Sequence, residues 1–267
     1  MIARWLRALR QRRDARTVLQ RAIPDALWAL TLLRFAFLSQ RPAADVQRLR
    51  DMATLFLAAK EFSAPGDEPV TDEMAVAVAA QACLPVLELG LHWYDGFVGI
   101  VIHPDVVRAR REHTDEIGVV HEYDETLSGE AMEGGPVMLS WRDVAEAGES
   151  AEWGYNVVIH EFAHVLDMRD GEPDGTPPLA TRAERVRWGD VLQAHYLALC
   201  EAVDAGRETF LDPYAAEAPS ELFAVASETF FVAPAGLRRE HPALYELLAG
   251  FYRQDPASAA SAASAAL

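Results

Sequence analysis

Cysteine is scarce in this sequence, with only two among 267 residues. Cys83 and Cys200 form neither a Cys-x-x-Cys pair nor a disulfide framework, which excludes a cysteine zinc site and suits a reducing compartment. Basic residues are also few, since 24 lysines and arginines oppose 41 acidic residues and leave a formal charge of −17. Such a chain repels phosphate, so the composition excludes a general binder of nucleic acids or anionic membranes.

Long hydrophobic runs are absent as well. The longest uncharged stretch, residues 74–87, is shorter than the roughly 20 apolar residues that span a bilayer, and Pro85 interrupts it. The first ten residues carry arginines throughout and lack the apolar core of a signal peptide. We therefore expect a cytoplasmic protein without a membrane span.

Apolar residues, by contrast, make up 51% of the chain, which excludes wholesale disorder and suffices for a sizeable core. Short β-branched and aromatic runs predict strands at 97–102 and 136–141, and the polar segment 108–135 between them predicts a hairpin-like excursion or an exposed loop. Helical spacing and turn residues predict helices over 24–39, 43–61, 71–85, 156–167, 179–205, 219–232 and 241–252.

The two ends of the chain differ in composition from the middle. Arginines with interleaved Trp5, Leu6 and Leu9 predict a basic N-terminal helix or arm over 1–20. This helix either docks a partner or is solvated, its arginines pairing with the acidic body. Residues 21–253 are predicted to form a single domain, and the Ala/Ser-rich segment 254–267 a flexible tail.

The segment that carries chemistry is His160-Glu161-Phe162-Ala163-His164. On a helix, His160 and His164 point from one face, close enough for both imidazoles to bind one tetrahedral zinc ion. Glu161 follows the first histidine and can take a proton from zinc-bound water, as a general base does in metallopeptidases. The flanking residues are apolar, which predicts a buried and therefore rigid helix.

Two histidines leave the site one protein ligand short, with a further position open for water. Residues 169–172 supply no third histidine, so we expect a carboxylate. The apolar helix predicted at 219–232 places Glu221 and Glu228 on one face, where a carboxylate is costly unless it is paired or bound to a cation. On these grounds both glutamates remain candidates for the third ligand.

Together, segments 160–167 and 221–225 resemble the Mlc titration factor A peptidases, which share a zinc-site arrangement with the catalytic domain of anthrax lethal factor. In that family the glutamate that opens a Glu-x-Phe-Ala segment is the third ligand, which implies Glu221 and leaves Glu228 as a supporting residue. A tyrosine seven residues earlier faces the metal and assists the reaction, which implies Tyr214.

The resemblance implies an α+β, zincin-like fold that is mainly helical, with a small mixed sheet beside the active-site helix. It implies one Zn²⁺ per chain, bound by His160, His164 and Glu221, in a peptidase that acts on peptides or proteins with an aminopeptidase preference. It also implies an alternative, a regulatory protein that binds and sequesters a transcriptional repressor, with peptidase activity secondary.

Two supporting roles stay open. Asp167, on the same helix as His164, either fixes a histidine tautomer or forms a salt bridge with an arginine. The strand around 137–140 is either an edge strand that pairs with an extended substrate backbone or a core strand without substrate contact.

Overall fold

The computed structural model describes residues 2–66, 69–114 and 120–259, and most of them are helical. The helices are α1 (Ile2–Arg21), α2 (Asp25–Arg34), α3 (Ala36–Ser39), α4 (Ala43–Ala59), α5 (Asp72–Cys83), α6 (Trp141–Ser150), α7 (Val157–Asp167), α8 (Arg182–Asp204), α9 (Pro219–Val232), α10 (Pro234–Glu240) and α11 (Pro242–Tyr252). Short 3-10 turns lie at Leu91–Tyr94, Ala151–Trp153, Met168–Asp170 and Pro213–Ala216.

The strands are β1 (Glu61–Ser63), β2 (Gly99–His103), β3 (Val107–Thr114), β4 (Val120–Leu127), β5 (Gly129–Ala131) and β6 (Val137–Ser140). Four of them form a mixed sheet in the order β1-β2-β6-β5, in which only β5 runs antiparallel to its neighbour. The other two, β3 and β4, form a separate antiparallel hairpin. The predicted α+β class with a small mixed sheet is confirmed.

The hairpin-like excursion predicted for 108–135 is present as β3 and β4, but the same segment also contains β5. The strand at 137–140 is β6, which pairs with β2 on one side and β5 on the other. The hypothesis that it is an edge strand is therefore wrong, and β5 occupies the edge. The residues of β5, Gly-Glu-Ala, carry no alternating apolar pattern that would have predicted a strand.

The helix predicted over 24–39 is interrupted at Phe35, whose backbone leaves the helical region with φ −114° and ψ 79°. Phe35 is completely buried. Helix α6 approaches the chain closely here, because a Cβ on Gly148 would lie 2.0 Å from the carbonyl oxygen of Arg34. No glycine or proline marks the break in the sequence, so long-range packing decides it.

Helix α7 crosses the core beside the sheet. Its apolar face is buried, and the Phe162 ring lies in an aromatic cluster, with its centroid 5.0 Å from that of Tyr94 and 5.8 Å from that of Phe56. At its start, the side chain of Asn156 accepts a hydrogen bond from the Ile159 N–H at 2.9 Å, which caps the helix. The amide of Asn156 donates to Gln81 of α5 at 2.7 Å. Helix α7 is thus fixed along its length and at its N-terminus.

The N-terminal helix and the first residues of the predicted tail both pack against the rest of the protein. The basic segment forms α1, which packs against α4. Residues 254–259 of the predicted tail pack on the domain, since Gln254 donates to the carbonyl of Leu84 at 2.9 Å and Ala257 is buried. Residues 260–267 of that tail lie outside the described residues. None of the helices in the described part of the chain is both long and apolar enough to cross a membrane.

Candidate metal centre

Three side chains converge on one point between α7 and α9. His160 Nε2 lies 3.2 Å from His164 Nε2 and 3.1 Å from Glu221 Oε2, and His164 Nε2 lies 3.4 Å from the same carboxylate oxygen. Zinc bonds of about 2.0–2.2 Å would place tetrahedral ligand atoms about 3.3–3.6 Å apart. The donor atoms and their spacing therefore fit one tetrahedral metal ion. In the part of the chain that the structure describes, this is the only such group of histidine, cysteine or acidic residues.

The convergence follows from the two helices. His160 and His164 are one turn apart on α7, so their rings project from the same face. Glu221 lies in the first turn of α9, which begins at Pro219 and packs against α7. Pro219 suits the first helical turn, where its missing N–H is not needed. The packing of α9 on α7 thus brings the third ligand atom to the two imidazoles.

Glu228 lies behind the group formed by His160, His164 and Glu221 rather than within it. Its Oε1 accepts a hydrogen bond from Nδ1 of His160 at 2.7 Å, on the opposite side of the ring from Glu221. Its Oε2 accepts the backbone N–H of Asn156. A carboxylate in this position fixes the tautomer and orientation of a metal-binding histidine. The sequence left Glu221 and Glu228 as alternatives, and the structure separates them by the nitrogen each one faces.

Replacing Glu228 by glutamine should weaken metal binding, because the amide keeps the shape but loses the charge that orients His160. We expect an affinity for Zn²⁺ about 10–100-fold lower, the usual cost of losing such a partner. Competition with a chromophoric chelator measures this affinity. The matched control is Glu217→Gln, at an exposed position just before α9. Equal affinities for Glu228→Gln and the wild type would contradict the role given to Glu228.

The site is rich in negative charge. Burial lowers the pKa of His160, but the carboxylates of Glu228 and Glu221 outweigh it and raise that pKa well above its ordinary value. Burial raises the pKa of Glu221, but hydrogen bonds from His160 and His164 outweigh it and lower that pKa to about 2. Both shifts have the same origin, which is the attraction between the carboxylates and positively charged imidazoles. A divalent cation bound by the three side chains would be stabilised by the same carboxylates.

Glu161 is buried, with 4% of its surface exposed, yet it contributes to the wall of the adjacent cleft. Burial raises its pKa, while the two histidines and the N–H of Ala131 act in the opposite direction. Its Oε2 has no hydrogen-bond partner among the residues described. An unsatisfied buried oxygen is costly, which suits a position where a water molecule or a substrate supplies the missing proton.

Strand β5 passes directly over this carboxylate. A Cβ on Gly129 would lie 2.5 Å from Glu161 Oε1 and 2.6 Å from its Cγ, closer than side chains approach one another. Only glycine leaves room for Glu161 in its present position. Gly129 was not predicted to contribute to the site, because a glycine in a polar segment usually indicates a turn.

Tyr214 lines the cleft and belongs to the 3-10 turn Pro213–Ala216. The Asp212 carboxylate accepts the Tyr214 backbone N–H at 2.9 Å and caps this turn. The ring is 47% exposed, and its centroid is 6.1 Å from that of His160. The phenol therefore belongs to a fixed turn that borders the ligand group.

Among the residues that the structure describes, Asp167 has neither of the roles considered from the sequence. Its Oδ2 accepts the backbone N–H of Gly175 at 2.8 Å, which fastens the segment after α7. Its Oδ1 and the Nδ1 of His164 each lack a hydrogen-bond partner in the described part of the chain, so they do not bond to each other. No ion pair between Asp167 and an arginine is found among those residues either. The carboxylate of Asp167 therefore stabilises the turn at Gly175 instead of orienting a histidine.

The cleft has a volume of about 240 Å³. Its lining includes Ser128, Gly129 and Glu161 together with the aromatic Trp153, Tyr155 and Tyr214. Its described lining includes three acidic residues, with Asp212 and Glu228 joining Glu161, and no lysine or arginine. The cleft therefore offers a cation or an amino group better electrostatic surroundings than a carboxylate.

Comparison with known proteins identifies similar chains. The family model described as glucose-regulated metallo-peptidase M90 matches residues 8–253. An uncharacterized protein of Synechocystis is 36% identical over 238 residues, 89% of this chain and 86% of that protein. Mlc titration factor A of Edwardsiella ictaluri is 41% identical over 79% of this chain and 80% of its own length. That of Klebsiella pneumoniae is 36% identical over 84% of each chain.

Proposed function

This chain belongs to the M90 family of glucose-regulated metallo-peptidases, and from that premise we propose that it is a zinc-dependent peptidase of the gluzincin type. In this proposal His160, His164 and Glu221 bind one zinc ion per chain, Glu161 is the general base and Tyr214 stabilises the oxyanion. The observation that carries the proposal is the meeting of three ligand atoms beside a buried glutamate with one unsatisfied oxygen.

The roles follow from the positions of the side chains. When bound, zinc supplies a Lewis acid that polarises the scissile carbonyl and lowers the pKa of a water molecule. Glu161 accepts the proton of that water at its unsatisfied Oε2 and returns it to the leaving amine. Tyr214 donates a hydrogen bond from its phenolic hydroxyl to the oxyanion that develops on the substrate. Glu228 holds the His160 ring, so the ligand set is ordered before substrate binds.

We assign the fold to the zincin-like class because a histidine-bearing helix lies beside the edge of a mixed sheet. The edge strand is β5, so the extended substrate backbone is proposed to pair with β5 rather than with β6. The acidic cleft supports an aminopeptidase-like preference. A free α-amino group is attracted by Asp212 and its neighbours, whereas a terminal carboxylate finds no basic side chain in the described lining.

Metal analysis combined with peptide hydrolysis tests this function. The purified protein is expected to hold about one zinc ion per chain, as the single group of three ligands requires. Dialysis against a chelator should abolish hydrolysis of a peptide library, and added Zn²⁺ should restore it. Peptides with acetylated N-termini, compared with their free counterparts, measure the aminopeptidase preference. A protein that binds no zinc and cleaves no peptide would overturn the proposal.

A second candidate function is the binding of a transcriptional repressor. Several similar proteins are named Mlc titration factor A, a name that refers to titration of Mlc. We infer that this chain could act on a repressor of that kind by binding alone, with hydrolysis secondary. A variant that cannot hydrolyse peptides but still binds the repressor would separate the two functions.

A further inference from the structure

Trp153 is unusually exposed for a tryptophan. It lies on the wall of the cleft with 85% of its surface accessible. Tryptophan is highly buried on average, and an exposed large aromatic ring commonly marks a surface that a ligand covers. The comparably exposed Leu19 and Leu33 lie on α1 and α2 and do not line the cleft. The exposure of Trp153 therefore coincides with the site where a substrate binds.

The backbone that carries Trp153 is firmly held. The 3-10 turn Ala151–Trp153 ends at Gly154, which has a φ of 81° and donates its N–H to the carbonyl of Ala151 at 3.1 Å. A Cβ on Gly154 would lie 3.0 Å from Oγ1 of Thr229, so the turn rests on α9 next to Glu228. The turn also joins α6 to α7, which begins a few residues later. The backbone that carries the indole is thus held by the same helices that carry the three candidate ligands.

The cleft is too small to enclose several residues of a peptide. Its volume of about 240 Å³ is below the about 300–1,000 Å³ that typical ligand pockets provide. Substrate residues next to the scissile bond must therefore contact the rim. No basic side chain is available in the described lining, and Trp153, Tyr155 and Tyr214 supply most of its aromatic surface. An apolar or aromatic substrate side chain complements such a rim best.

We propose that Trp153 is a specificity-determining residue that stacks against a large apolar or aromatic side chain of the peptide substrate, next to the scissile bond. This inference rests on the proposed peptidase function and names the side-chain class that it selects. Trp153 takes no part in the proton transfers, because an indole N–H donates hydrogen bonds but does not accept and release a proton as a carboxyl group does. Its contribution lies in the binding of substrate rather than in the chemical step.

Steady-state kinetics of Trp153→Ala and Trp153→Phe test the inference. Peptides of one length carry Phe, Leu, Ala or Asp in turn at each position flanking the cleaved bond. We expect Trp153→Ala to raise KM about tenfold for the best Phe and Leu peptides, with kcat unchanged, since stacking and apolar burial contribute binding energy of that order. Trp153→Phe should retain most of the preference, and Ala peptides should be unaffected by either variant.

Leu33→Ala, which removes an equally exposed apolar side chain on α2, is the matched control and should behave as the wild type. An unchanged preference for Phe and Leu in Trp153→Ala would overturn the inference. A wild type that cleaves no peptide would instead defeat the proposed function. In that case, calorimetric affinities for the same peptides decide: about tenfold weaker binding of Phe peptides by Trp153→Ala supports the inference, and equal binding overturns it.

Discussion

Glu161→Gln is expected to reduce peptide hydrolysis by about 10²–10⁴-fold, the usual contribution of a general base. Glutamine has nearly the same shape and can still accept the N–H of Ala131, but it cannot take a proton from water. The burial of Glu161 matters here, because it is the only carboxylate in the described lining of the cleft with a buried oxygen that lacks a hydrogen-bond partner among the described residues. The kcat of the variant, measured at saturating substrate, checks the prediction.

The metal content of Glu161→Gln should equal that of the wild type, because the three ligand atoms are unchanged. Glu217→Gln, which alters an exposed glutamate near α9, serves as the control and should keep full activity. The same variant separates the two candidate functions, since a repressor-binding activity should persist in it. Full peptidase activity in Glu161→Gln would show that the assigned mechanism is wrong.

Gly129→Ala should lower kcat by about 10²-fold, although the alanine methyl group touches neither metal nor substrate. The new Cβ would overlap the carboxylate and the Cγ of Glu161, so the side chain must move. Misplacement of a catalytic group by about 1 Å can cost a factor of about 10² in rate. The expected pattern is a loss in kcat, with zinc content and the unfolding midpoint close to those of the wild type.

Gly189→Ala provides the comparison for this variant. A Cβ on Gly189 meets no atom within 4 Å, and its position in α8 accepts alanine readily. It should leave kcat unchanged. If Gly129→Ala hydrolysed peptides as fast as Gly189→Ala, β5 would not be what positions Glu161.

Local patterns sufficed where a residue's role depends on its neighbours in sequence. Helix α7 was predicted over 156–167 because its apolar spacing and Asn156 are local signals, and the structure places it at Val157–Asp167. The pairing of two histidines one turn apart follows from the same geometry. The helix predicted to start at 71 is capped by the side chain of Thr71, whereas the helix predicted from 179 begins only at Arg182, where the side chain of Thr181 caps it.

Sequence reasoning failed where long-range packing decides. Helix α6 at Trp141–Ser150 was not predicted, because a polar and acidic segment directly after a strand is typical of a loop. In the structure the side chain of Ser140 caps this helix by accepting the N–H of Asp143. Strand β5 exists only because β6 offers it a partner, and Gly129 matters only because α7 passes beneath it. The residues alone leave the choice between Glu221 and Glu228 open, and the family resemblance implies Glu221. In the structure Glu221 faces Nε2 of His160 and Glu228 faces Nδ1.

Gln81 shows how far the influence of buried core residues extends. It belongs to α5, which contributes no residue to the cleft, and it is completely buried. Its side-chain oxygen nevertheless accepts a hydrogen bond from the side chain of Asn156. The backbone N–H of Asn156 in turn donates to the Glu228 carboxylate, which orients His160. A redesigned core would therefore have to keep Gln81, although it does not touch the candidate metal site. An apolar residue in its place could not accept the hydrogen bond from the Asn156 side chain.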